Sequence, residues 1–354
     1  MKIGILTFQE YENRNYGAIL QAYAGLRMLN KLKKDVEIIN FKINRGSWKN
    51  RLYTKLEATP FKYFSMKFLK LSEEVKTIEE LKKINEKFDV FIVGSDQVWR
   101  AGTTNIAKNT FYLEFADENK KKVAYAASFG TDTWEGDKQL TEKIKPLIKR
   151  FDSISVREES GIDICKNIFG IDNAVCVLDP TLMINREDYQ PILDDWKDKS
   201  HLKKKYIAHM LLDDTIQLKN GSKKIADYFK AEINYIKGKS FNVLGQIVTL
   251  YNKVSQWLTY LKDAELVITD SFHCTVFSII FHKKFVVVAN PKRGIARLET
   301  LLGKLGLEDR LFTNIDDVLK SGILDKEIDY EEVDKKLEIH RKYSMEFLRK
   351  ALED

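Results

Sequence analysis

The arrangement of residue types best suited to chemistry in this 354-residue chain is Leu266–Phe281, LVITDSFHCTVFSIIF. A β-branched run ends at Thr269, an Asp270-Ser271 corner follows, and His273 opens an apolar run holding Val276, Phe277, Ile279 and Ile280. The pattern predicts a buried strand, a turn capped by Asp270 or Ser271, and a helix with His273 in its first turn. Histidine titrates near neutrality, so it can take or give a proton. Open α/β sheets bind ligands just beyond the carboxyl ends of parallel strands, and a helix start there favours anions. The corner therefore offers an acid–base group beside a place for a charged ligand.

Other polar corners follow apolar runs. Asn15 and Gly17 lie in the loop after the strand Lys2–Phe8. Ser95, Asp96, Gln97 and Trp99 follow Phe88–Val93, Arg157 follows Ser153–Val156, and Arg293 and Arg297 follow Phe285–Ala289. The first loop lacks a GxGxxG fingerprint, which disfavours a classical dinucleotide site. Cys165, Cys176 and Cys274 have no CxxC or metal-ligand spacing, and His201, His209, His282 and His340 share no metal spacing. Cys274 beside His273 is no dyad, because adjacent helical residues point apart; it reads as a small buried residue.

Strands and helices alternate along the chain. Lys2–Phe8, helix Ile19–Leu32 and Val36–Phe41 make an opening βαβ unit. Phe88–Val93, Val123–Ser128, Ser153–Val156 and Ala174–Leu178 continue it, with a charged helix near Asp137–Lys149. A polar run from Asn185 to Lys204 reads as a crossing to a second half. That half holds strands Tyr206–Leu211, Glu232–Ile236, Leu266–Thr269 and Phe285–Ala289, between helices near Gly221–Phe229, Ser255–Asp263 and Leu298–Leu307. The predicted fold is α/β, with two Rossmann-like domains facing a cleft. Their expected spans are 1–190, with an insertion at 42–87, and 191–325, followed by a C-terminal helix over 326–354 that packs back on the first domain.

Net charge is +7 and hydrophobic content 44%, ordinary for a globular protein, and no nucleic-acid motif appears. The apolar runs are too short for a signal sequence or a membrane span, so a cytoplasmic protein is expected. Lys42–Lys70 stands apart: eight Lys or Arg against the single acid Glu57, interleaved with Trp48, Tyr53, Phe61, Tyr63, Phe64 and Phe68. It reads either as an insertion with a packed aromatic face and a solvated basic one, or as a peripheral contact with an anionic membrane.

Taken together, KIGILTF with NYGAILQAYA, FDVFIVGSDQVW, KVAYAASFG, SISVREESG, VLDPTL, LVITDSFHCTVFSIIF, KFVVVAN and RGIARLETLLGKLGLEDR resemble the polysaccharide pyruvyl transferase family, from about Lys2 to Arg310. The resemblance implies a GT-B-like two-domain fold. It also implies transfer of a pyruvyl group from phosphoenolpyruvate, as co-substrate and with no further cofactor, onto hydroxyls of a glycan or polyprenyl-linked sugar. Members often carry Arg two residues before the histidine; here that position is Ser271, and the TDSFH form looks like a distinct subgroup.

By this resemblance His273 is the proton-moving residue, against a capping or packing histidine at a helix start, and Asp270 is catalytic by orienting its imidazole, or a cap. Ser271, Arg157, Arg293 and Arg297 are donor-binding candidates. The alternatives are an N-cap for Ser271, pairing with Glu158, Glu159 or another acid for Arg157, and surface salt bridges for the last two. Asn15, Gly17, Ser95, Asp96, Gln97 and Trp99 are acceptor-binding candidates, although Gly17 could serve only its turn and Trp99 only the core. Two other functions share the expected fold: a nucleotide-sugar glycosyltransferase and a degenerate, glycan-binding family member.

Overall fold

In the computed structural model the apolar runs assemble into two parallel sheets. A run such as VFIV (Val90–Val93) is buried at every position, so both of its faces need helices to cover them. All residues are described except 10, 43–50, 103–108, 199, 201–203, 214, 244–245, 291–293 and 354. Contacts group the chain into two compact units. The first comprises Met1–Lys49, Ser65–Ile184 and Glu338–Asp354; the second comprises Asn50–Phe64 and Asn185–Leu337.

The first unit holds β1 (Lys2–Leu6), β2 (Asp35–Phe41), β3 (Leu71–Val75), β4 (Val90–Val93), β5 (Lys121–Ala127), β6 (Ser153–Val156) and β7 (Val175–Cys176). All its pairings are parallel, in the order β3-β2-β1-β4-β5-β6-β7. The order reverses between β1 and β4, which opens a crevice at their carboxyl ends. Helix Tyr16–Lys31 leaves that crevice, capped by the Asn15 side chain, which accepts from the N–H groups of Gly17 and Ala18.

The second unit holds β8 (Tyr206–Met210), β9 (Glu232–Tyr235), an antiparallel hairpin of β10 (Gly238–Val243) and β11 (Gln246–Tyr251), then β12 (Leu266–Thr269), β13 (Phe285–Val288) and β14 (Leu311–Phe312). Its parallel sheet runs β14-β13-β12-β8-β9, with the reversal between β8 and β12.

Several details depart from the pattern reading. Strand β3 and the hairpin were not foreseen; LSEEV has too few apolar residues to signal a strand, and as an edge strand it needs few. The segment 42–87, expected wholly in the first domain, is divided. Helix Arg51–Phe68 contributes its residues through Phe64 to the second unit. There Phe61 meets Tyr251 edge-on at 5.4 Å, and the Thr249 N–H donates to Glu57 Oε1 at 2.8 Å. Strand β3 joins the first sheet, and 43–50, with Trp48, lie outside the described residues.

The last helix, Tyr330–Leu352, belongs to the first unit from Glu338 onward. Its Ser344 Oγ accepts from the Leu178 N–H at 3.0 Å, and Arg341 Nη2 donates to the Ile184 carbonyl at 3.1 Å.

Candidate active site

At the carboxyl edge of the second sheet, Thr269 ends β12 by donating its hydroxyl to the Met210 carbonyl of β8 at 2.8 Å. The same oxygen accepts from the Ser271 N–H at 3.0 Å, which turns the chain sharply. Ser271 is the N-cap of helix Phe272–Ile280, its Oγ accepting from the Cys274 N–H at 3.5 Å. Asp270 is not that cap. Its carboxylate accepts from the Leu212 N–H at 2.8 and 3.0 Å and from the Asp213 N–H at 3.3 Å. It thereby ties together the loops leaving β8 and β12, on the two sides of the reversal point.

His273 occupies the first turn of that helix and is 7% exposed, with its ring edge-on to Phe272 at 5.2 Å. Burial pushes the neighbouring Cys274 thiol up to about 12; a hydrogen bond with Thr269 opposes this and the Asp270 charge adds to it. The thiol is therefore no nucleophile near neutrality. Asn290, just past β13, donates to Asp213 Oδ2 at 2.7 Å. Three loops thus share hydrogen bonds at this edge, and Leu212, Asp213 and Asn290 are members the pattern reading missed; polar residues at strand ends were the available signal. Arg297 stands half-buried in the first turn of helix Ala296–Leu305, whereas Arg293 lies outside the described residues.

The first sheet's carboxyl edge is built from charges. Arg157, 3% exposed, donates from Nη1 to Asp179 Oδ2 at 2.9 Å and to Ser95 Oγ at 3.4 Å. Ser95 Oγ donates to the same carboxylate oxygen at 2.6 Å. Asp179 Oδ1 accepts from the Thr181 N–H at 3.0 Å and the Thr181 hydroxyl at 2.6 Å. Arg157 is thus paired with an acid, Asp179, and an expected donor residue stands against an expected acceptor residue, Ser95. The Ser95 carbonyl accepts from Thr7 Oγ1 at 2.6 Å, joining the corner after β4 to the end of β1.

Asp96 and Gln97 follow at the same corner. Trp99, expected to offer a face to a sugar ring, is 1% exposed; its N–H donates to the Phe111 carbonyl at 3.0 Å and its ring stacks on Tyr112 at 5.3 Å. A sugar could reach that ring only by displacing Tyr112 and the neighbouring core. Asn15 and Gly17 form the start of the first helix, where the Asn15 side chain serves as its cap.

Among the described residues, no three His, Cys, Asp or Glu side chains stand together as a metal site, and no helix is long and apolar enough to cross a membrane.

Residues 15–292 match the family model described as polysaccharide pyruvyl transferase. The chain belongs to the polysaccharide pyruvyl transferase family. No curated protein matches this pyruvyl transferase family member. Solved structures similar to it include the UDP-N-acetylglucosamine 2-epimerase of Rickettsia bellii, with TM-score 0.55 and 12% identity over 99% of this chain and 96% of that one. The UDP-GlcNAc 2-epimerase of Neisseria meningitidis bound to UDP-GlcNAc gives TM-score 0.54 and 12% identity over 99% of this chain and 100% of that one. A putative UDP-N-acetylglucosamine 2-epimerase of Listeria monocytogenes gives TM-score 0.53 and 13% identity over 95% and 90%. At such identities the likeness is one of fold: α/β, with parallel sheets, GT-B-like.

Proposed function

We propose that this family member transfers a pyruvyl group from phosphoenolpyruvate to hydroxyls of a sugar, in a cell-surface polysaccharide or its lipid-linked precursor, and leaves a pyruvate ketal. The observation that carries the reading is the position of His273, in the first turn of a helix at the reversal point of the second sheet, where Asp270 locks the adjoining loops. The enol methylene must gain a proton before a hydroxyl attacks the resulting cationic carbon. Phosphate then leaves with its C–O electron pair, and a second hydroxyl closes the ring. His273 supplies the first proton, and Asp270 positions it by fixing the turn on which it sits.

Phosphoenolpyruvate carries a carboxylate and a phosphate, which call for N–H and hydroxyl donors together with cations. The helix start, Ser271, Arg297 and Arg293 supply these in the proposed TDSFH subgroup, where Ser271 stands in place of an arginine. The reaction needs no cofactor beyond its co-substrate.

The protein would work at the inner face of the cell membrane. The outward stripe of helix Arg51–Phe68, with Leu56, Tyr63, Met66 (76% exposed), Lys62 and Lys67, supports a peripheral contact there. The one acid of the basic segment, Glu57, is turned inward. Sedimentation with anionic vesicles tests the contact: charge neutralisation along the helix should weaken it.

Thermal-shift titration tests the donor. Phosphoenolpyruvate should raise the melting temperature and UDP-GlcNAc should not; stabilisation by UDP-GlcNAc alone would replace this reading with a nucleotide-sugar transferase.

A further inference from the structure

The hairpin β10–β11 exposes side chains that a fold ordinarily buries. Phe241 is 48% exposed, Ile247 72% and Leu250 51%. The ribbon itself is well fixed. Its strands pair from Gly238 with Tyr251 to Val243 with Gln246, and the Ser240 and Thr249 hydroxyls bond across it at 3.0 Å. Gly238 closes the base: at φ 135°, a Cβ there would run into the Leu250 carbonyl oxygen. A two-stranded ribbon is marginal by itself, and helix Arg51–Phe68 braces this one through Glu57, which accepts from the Thr249 N–H, and through Phe61, edge-on to Tyr251.

Charge is sorted along the same element. From Ile233 to Lys253 the chain has three lysines, Lys237, Lys239 and Lys253, and no acid. Lys237 Nζ lies over the Tyr251 ring at 6.0 Å and Lys253 Nζ over the Tyr63 ring at 5.6 Å, at the base of the ribbon. Two acids that bond to this face are engaged: Glu57 is turned inward, and Asp195 accepts from the Tyr63 hydroxyl at 2.7 Å and the Ser255 hydroxyl at 3.4 Å. Phe241 stands two residues beyond Lys239, about 7 Å nearer the turn, and Ile247 lies opposite Asn242 at that end. The ribbon is therefore cationic at its base and apolar toward its turn.

Exposed apolar side chains on a braced element mark a surface that meets a partner. A second copy of this ribbon would set lysines against lysines. An anionic bilayer accepts both parts, its acyl boundary taking the apolar side chains and its headgroups the lysines. We infer that the hairpin β10–β11 is a membrane-inserting element: Phe241 and Ile247 enter the interface of an anionic leaflet, and Lys237, Lys239 and Lys253 hold its headgroups. This goes beyond the surface contact of helix Arg51–Phe68 and does not depend on the identity of the donor. Every residue placed in the leaflet belongs to the second unit.

Fluorescence of a labelled full-length chain tests the insertion. Cys165, Cys176 and Cys274 are buried, so Ile247→Cys gives one accessible thiol for a nitrobenzoxadiazole dye. With vesicles of phosphatidylglycerol and phosphatidylcholine the dye emission should brighten and shift to the blue, and a spin-labelled lipid should quench it; vesicles of phosphatidylcholine alone should change it little. In the unlabelled chain, Phe241→Ser with Ile247→Ser should lower vesicle partition about tenfold, and Lys239→Gln about fivefold, each at an unchanged melting temperature. Vesicle binding with unaltered dye emission, or equal partition of parent and Phe241→Ser with Ile247→Ser, would overturn the insertion and leave the helix contact standing. No binding by the parent would overturn both. Stabilisation by phosphoenolpyruvate is read without vesicles, so a failure of the pyruvyl-transfer reading shows separately.

Discussion

The two sheets carry different machinery at equivalent edges. In the first unit, charged side chains bind each other out of water: Arg157 and Asp179 are both buried, and Ser95 and Thr181 occupy further positions on the same carboxylate. In the second, the Asp270 carboxylate at the reversal point accepts from main-chain N–H groups, and the histidine beside it stands on a helix start. A buried ion pair fixes geometry through mutual dependence, so losing one partner strands the other. A carboxylate held by backbone fixes loops and leaves the neighbouring side chain to act. The first edge is therefore built to hold a shape, and the second, on the proposed function, to position a proton carrier.

Perturbing each edge should break this contrast in a defined order. Asp179→Ala leaves Arg157 buried beside a lost partner and should destabilise the first unit by about 3–5 kcal/mol, read by urea unfolding. A cost below about 1 kcal/mol would mean that the pair is dispensable. His273→Ala should cut turnover by about 10²–10⁴ with an unchanged melting temperature; near-normal turnover would remove it from the chemistry.

Asp270→Ala frees the Leu212 and Asp213 N–H groups and should cost about 1–3 kcal/mol, less than Asp179→Ala because no buried cation is stranded. Ser271→Ala removes a cap whose hydrogen bond is already long at 3.5 Å, so a loss of about 0.5 kcal/mol is expected, the smallest of the series.

Alkaline pH probes both edges at once. Burial pushes the Cys165 thiol, in the first unit, from 9.0 up to about 12, with the Glu158 charge adding to it. Burial does the same to Cys274 in the second, also to about 12. A folded-state value above the unfolded one gives stability that is complete below pH 9 and declines as pH rises toward 12. Urea unfolding at pH 8, 10 and 11 under reducing conditions should show that decline, and Cys165→Ala with Cys274→Ala should lessen it between pH 8 and 10, where the buried tyrosines, also pushed up by burial, contribute least.

Much of the local structure was legible from residue types. The β-branched run Leu266–Thr269 is a strand with the bounds read from it, the C-terminal helix expected within 326–354 spans Tyr330–Leu352, and the cap at Ser271 was one of two residues proposed. These features depend on hydrogen bonds and burial within a few residues, so the types themselves report them. Residues 95–97 and 157 were also found as strand-end corners.

Other features depended on which distant segments meet. Parallel pairing sets β1 beside β4 and β8 beside β12, and so locates both reversal points; nothing local to any of these strands encodes its neighbour. Arg157 finds an acid 22 residues away, Trp99 is enclosed by a ring from 13 positions on, and Glu57 accepts from a strand N–H 192 residues later. By itself the sequence determined that the chain is α/β and that TDSFH stands where a strand gives way to a helix, because propensity and capping act at short range. Only the tertiary structure decided which charges are committed to holding the first edge, and that Asp96 keeps a strained torsion with a carboxylate oxygen turned to no protein partner among the described residues, because both outcomes are set by packing between segments far apart in the chain.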